Sequence, residues 1–189
     1  LVRTLESHRG YYEKWAEPWE FQALLKARFA AGDQKLRASY IATIKPLIWS
    51  YPERNRIVES ARHLRGRVLS NIPTDQQAQE IKLGRWGLRD VEFTAQLLQL
   101  VHGSTDDSLR EMNTISALQV LTDAGLLARD DRAVLADNYL FLRALEHRIQ
   151  LLKLRRTHLL PTDADELRRV ARSLNLKYGA QDLEARHEK

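Results

Sequence analysis

The chain has 189 residues, a formal net charge of +5, and 43% hydrophobic against 29% charged residues, which supports a folded core and excludes wholesale disorder. It has no cysteine, which excludes disulfides, thiol nucleophiles and cysteine-ligated zinc and makes a cytoplasmic setting the expectation. No apolar run reaches the ~20 residues of a membrane helix, and LVRTLESHRGYY opens with neither Met nor a signal-peptide h-region, so a piece of a longer chain is expected.

There are 31 leucines against 16 valines and isoleucines together, with 8 glycines and 5 prolines; this balance predicts helices rather than sheet. Thr4 can cap a helix that runs to about Ala16 and ends before Pro18. Trp19 to Phe29 fits a short helix or a buried strand equally well. Asp33 can cap a helix with Leu36, Tyr40, Ile41, Ile44 and Leu47 at helical spacing. Tyr51-Pro52 starts another, with Ile57, Ala61, Leu64 and Val68 on one face. Pro73 opens a polar loop to Glu80, and Leu88 to His102 is the next helix, ended by Gly103. Thr114 to Ala124 follows, with Gly125 in the favoured position past its end. Asp130 is expected to cap the longest helix, to Leu154, whose stripe is Val134, Leu135, Leu142, Leu145, Ile149 and Leu152. Beyond Pro161, two short helices are predicted, Ala164–Leu174 and Ala180–Glu188.

The sharpest segment is IKLGRWGLRDVEF, Ile81 to Phe93. Gly84 and Gly87 precede a helix and allow positive φ and close backbone approach. A helix start suits an anion; Lys82, Arg85 and Arg89 add positive charge, and Asp90 and Glu92 can hold a cation or order the loop. The segment reads either as a phosphate-facing, site-supporting loop or as a tight turn with acids in the first helical turn. The glycine spacing is neither Walker nor Rossmann. In WEFQALLKAR, Lys26 and Arg28 share a face as a strand and diverge as a helix. The tryptophans Trp15, Trp19 and Trp49 read as packing residues rather than site residues. The excess charge concentrates in Arg148, Lys153, Arg155 and Arg156. No stacking aromatics interleave them, so a helix end rather than nucleic-acid binding is expected. No HExxH occurs, so no metal site is expected.

Three separated blocks carry a family resemblance: LVRTLESHRGYYEKWAEPWEFQALLKARFAAGD, KLGRWGLRDVEFTAQLLQLVHG and YLFLRALEHRIQLLKLRRTHLLP. Together they resemble the bifunctional glutamine synthetase adenylyltransferase/adenylyl-removing enzymes, and the third block is most similar to the amino-terminal, adenylyl-removing half of actinobacterial members. The resemblance implies two nucleotidyltransferase domains, each followed by a helical domain. One adds AMP from ATP to a tyrosine of glutamine synthetase. The other removes it with phosphate, giving ADP. Mg2+ is implied on an acidic cluster whose Gly-Ser and paired-acid motif is absent from this sequence, so no catalytic or metal residue is expected here.

The expected fold is all-α, a helical bundle behind a truncated nucleotidyltransferase domain: residues 1–32 as that domain's remnant, 33–161 as the bundle, 162–189 as a helical tail. Residues 1–32 are expected to be the less stable part, with Trp15, Trp19, Phe21 and Phe29 exposed. Lys26, Arg28, Lys82 and Arg89 are the candidate phosphate or nucleotide contacts; Gly84, Trp86, Gly87, Asp90 and Glu92 form and order the loop. Partners implied are glutamine synthetase and a PII-type signal protein, without nucleic acid or membrane. The alternative is a non-catalytic helical module docking one of those proteins. The family usually carries glycine at Trp86, where an indole would strain a φ > 0 backbone; Trp86→Gly is expected to raise activity or nucleotide affinity if glycine is needed for that geometry, and otherwise to cost on the order of 1 kcal/mol or less through unfolded-chain entropy.

Overall fold

Helices begin where the sequence supplies a side-chain acceptor for the free N–H groups of a first turn. In the computed structural model, which describes residues 3–50 and 54–176, Thr4 accepts from Ser7 N–H and opens α1 (Leu5–Lys14). The ambiguous stretch is a helix, α2 (Pro18–Leu24), with proline in the first turn; it stops before Lys26, so Lys26 and Arg28 lie on neither a strand nor a helix. Asp33 accepts from Leu36 N–H and caps α3 (Gln34–Trp49). Then come α4 (Arg54–Ser70), α5 (Leu88–His102) and α6 (Thr114–Asp123), the last capped by Asn113. The long helix α7 (Arg129–Lys153) starts before the expected cap, so Asp130 sits inside its first turn. Asp163 caps α8 (Ala164–Ser173). The expected start at Tyr51-Pro52 and the final helix Ala180–Glu188 lie outside the described residues. Among the described residues the fold is all-α, with one isolated antiparallel bridge, Glu80 to Leu159.

Helix ends follow the same accounting. Gly125, at φ +73, lets Leu126 N–H reach Leu121 C=O and its own N–H reach Thr122 C=O, closing α6. Asn175, at φ 56, does the same for α8, with Leu176 N–H on Ala171 C=O.

Contacts divide the chain into two compact units, one from 1–65 and 93–128, the other from 66–92 and 129–189. In the first, α1 and α2 pack on α3. Phe21, Leu25, Ile44, Ile48, Ile57 and Leu100 form its core. Phe21 is therefore a core residue, not an exposed one, and Phe29 is half-buried. Trp15 (73% exposed) and Trp19 are on the surface, as expected for residues 1–32. On α3 the buried residues are Ile44 and Ile48; Leu36 and Ile41 are exposed and line an open cleft. A buried amide pair, Gln22 Nε2–H to Gln96 Oε1 at 2.9 Å, ties α2 to α5. Gln99 donates to the Leu109 and Glu111 carbonyls and so fastens α5 to the loop before α6.

In the second unit α8 packs on α7, and Ile81, Leu88, Leu142, Leu145, Ile149, Leu160, Val170 and Ala171 form the core. Each fully buried Leu or Ile there contributes roughly 1.5–3 kcal/mol. Val134, expected on the α7 stripe, is exposed. The bridge places residues 79–81 alongside 158–160, with Ile81 N–H on His158 C=O (3.2 Å) and Leu160 N–H on Gln79 C=O (2.8 Å).

Candidate functional site

Residues 80–87 form a loop that leads into the first turn of α5, and the segment 80–92 has little freedom left in it. The Glu80 carboxylate, 4% exposed, accepts the N–H groups of Lys82 (3.0 Å) and Leu83 (2.9 Å) on Oε1. Its Oε2 lies 2.6 Å from His158 Nδ1. Leu88 N–H then returns to Ile81 C=O and Arg89 N–H to Lys82 C=O, which closes the loop on itself. Closure leaves no room for side chains at the glycines. A Cβ on Gly84 would stand 2.3 Å from Glu80 C=O, and one on Gly87 would stand 2.9 Å from the carbonyls of Ile81 and Lys82.

Both glycines thus serve close backbone approach. The positive φ falls between them, on Trp86 at φ 61, a region that costs a side-chain-bearing residue ~1 kcal/mol or more. Its N–H donates to Asp90 Oδ2 at 2.7 Å, and its indole is 83% exposed. Relief of that strain opposes the entropic cost expected for Trp86→Gly. Glycine adopts that φ freely, and little burial is lost.

The charged residues of the loop meet α7. Glu146, 2% exposed, takes Lys82 Nζ on Oε1 at 2.8 Å and Arg143 Nη1 on Oε2 at 2.9 Å. Arg143 also donates through Nη2 to Glu92 Oε1 and through Nε to the Tyr139 hydroxyl, which donates to the same Glu92 oxygen. Arg89 Nη1 lies 3.5 Å from Glu92 Oε2. Burial pushes the Glu146 carboxyl up, but the Lys82 hydrogen bond and the charges of Lys82 and Arg143 outweigh it and hold the group below the usual carboxylate range. Burial would lower Arg143, yet Tyr139, Glu92 and Glu146 raise it further above its ordinary value.

Lys82, Gly84, Trp86, Gly87, Arg89, Asp90 and Glu92 are therefore brought together, in the second unit. Lys26 and Arg28 belong to the first unit. The Lys26 ammonium donates to Met112 C=O and Thr114 Oγ1. Arg28 is exposed and lines a cleft of about 1230 Å³ whose wall also includes Tyr40, Ile41 and Met112. Sequence reading missed Tyr139, Arg143, Glu146, Glu80 and His158. The available signal was Arg143 and Glu146, two charges one turn apart among Leu142, Leu145 and Ile149. Among the described residues no three His, Cys, Asp or Glu side chains are grouped to hold a metal ion. Nor is any helix there long and apolar enough to cross a membrane. Among the described residues, then, no acidic grouping fits the Mg2+ that the resemblance implies.

Two family models match. The one described as GlnD PII-uridylyltransferase covers residues 62–189, and the one described as glutamate-ammonia ligase adenylyltransferase covers residues 1–43. Curated relatives carry the name bifunctional glutamine synthetase adenylyltransferase/adenylyl-removing enzyme. The protein of Streptomyces avermitilis is 54% identical over 94% of this chain and 18% of its own length. That of Mycobacterium leprae is 51% identical over the same shares, and that of Corynebacterium glutamicum 53% identical over 88% and 16%. The chain thus spans less than a fifth of the relatives it matches.

Proposed function

Since the chain belongs to the family described as GlnD PII-uridylyltransferase, with homologues that are bifunctional glutamine synthetase adenylyltransferase/adenylyl-removing enzymes, we propose that it is the helical segment supporting the adenylyl-removing site of such an enzyme. In the intact protein that site would release AMP from a tyrosine of glutamine synthetase by phosphorolysis, giving ADP, and the partner half would attach AMP from ATP. Residues 1–32 would be the end of the nucleotidyltransferase domain, 33–161 the helical domain and 162–189 its tail. The adenylyltransferase match over residues 1–43 and the second match over 62–189 support such a two-part origin. Mg2+ would be held by acids outside this chain.

The observation that carries the reading is the construction of the 80–92 segment, a loop running into the start of α5. Two glycines without room for a Cβ, a buried carboxylate on two backbone N–H groups and a tryptophan held at φ 61 define one conformation. Strain of this kind persists where surrounding structure imposes it and clusters at functional sites. The loop carries Lys82 and Arg89, and phosphoryl transfer needs positive charge preorganised around the moving group. Lys26 and Arg28, in the first unit, are proposed as phosphate contacts in their own right.

The test is Lys82→Met and Arg89→Met in the full-length enzyme, assayed with adenylylated glutamine synthetase at varied phosphate. A higher phosphate KM for AMP removal, with adenylylation from ATP retained, supports the reading. Unchanged phosphorolysis, or loss of adenylylation alone, overturns it. A second reading, a docking module for a PII-type signal protein, is favoured by the description of the model that matches 62–189. It predicts variants that keep both reactions but lose the response to that protein.

A further inference from the structure

Five charged side chains alternate in sign along one connected path: Lys82, Glu146, Arg143, Glu92, Arg89. Arg143 stands in the middle and uses a different nitrogen for each carboxylate. Each carboxylate uses its second oxygen for one base of the glycine loop, Glu146 for Lys82 and Glu92 for Arg89. We propose that Arg143, Glu146 and Glu92 are positioning residues that fix Lys82 and Arg89 as a pair to receive a phosphate group. This rests on the reading of the loop as facing the phosphorolytic site.

Three features point beyond a merely structural role. A carboxylate buried to 2% exposure between Leu145 and Ile149 is expensive to desolvate, and a buried ion pair is often no more stabilising than apolar residues of the same size. Its distinctive property is geometric, since it holds charged groups in one arrangement. The path also contains three bases and two acids, an excess of one positive charge within it. Finally, the Lys82 side chain is 22% exposed, and an ammonium has three donors, so binding Glu146 leaves it able to meet a ligand.

The test is a double-mutant cycle in the full-length enzyme, with inorganic phosphate varied in the AMP-removing reaction. Glu146→Gln is expected to raise phosphate KM roughly tenfold while kcat changes much less, because a charged partner that orients Lys82 is lost. In a Lys82→Met background the same substitution is expected to add nothing. A folded Glu146→Gln enzyme with unchanged phosphate KM, or full additivity with Lys82→Met, overturns the proposal. Should Glu146→Gln not fold, Tyr139→Phe removes only the hydroxyl between Arg143 and Glu92 and is expected to raise phosphate KM about twofold; an unchanged value overturns the proposal equally. If Lys82→Met itself leaves phosphate KM unchanged, it is the underlying reading of the loop that fails.

Discussion

At Trp86, a large side chain occupies backbone that glycine would enter freely, and Gly84 beside it occupies backbone at ordinary φ that no other residue would fit. Trp86→Gly is expected to leave stability unchanged or raise it by about 1 kcal/mol, as relief of the φ 61 strain offsets or exceeds the greater freedom of the unfolded chain. Denaturant unfolding of the two proteins checks this. Gly84→Ala is expected to cost ~3 kcal/mol, because the new methyl meets a backbone carbonyl rather than a movable side chain; a loss below about 1 kcal/mol would show that the loop can relax. The two glycines and their closeness to a helix were legible in the sequence. Which residue takes positive φ was not, since the return of Leu88 and Arg89 onto Ile81 and Lys82 sets it.

Helix limits were legible where a cap side chain and an apolar spacing agree, as for Thr4 and Asp33, and for Leu88–His102 where Gly103 closes an apolar run. Asn113→Ala should cost about 1 kcal/mol, since it removes an acceptor for the N–H groups of Ile115 and Ser116. On α7 the sequence showed the leucines but not what Arg143 and Glu146 do, because their partners lie 51 and 64 residues away. That arrangement has a pH signature. The folded Glu146 carboxyl is held below its usual range, so its contribution to stability is present above about pH 4.3, the usual value for glutamate, and is lost as pH falls through its lower folded value. Melting temperatures between pH 5 and 3 should fall less steeply for Glu146→Gln than for the parent chain. Parallel curves would show that Glu146 does not titrate differently on folding.

For the molecule as a whole, three sequence blocks were enough to point to the family, whereas the grouping of 66–92 with 129–189 came only from the fold. Such groupings depend on contacts between distant segments, here the pairing of 79–81 with 158–160, which local periodicity does not encode. Because the sequence lacks the acidic motif that the resemblance implies, the chain alone is expected to release no ADP from adenylylated glutamine synthetase with phosphate and Mg2+. Release above a no-protein control would contradict that. Whether the 80–92 segment serves a phosphate-binding site is read out by hydrogen exchange of the full-length enzyme with and without ADP and phosphate. If the segment serves that site, exchange slows over residues 82–92. Protection confined to other parts of the enzyme, with 82–92 unchanged, would contradict it.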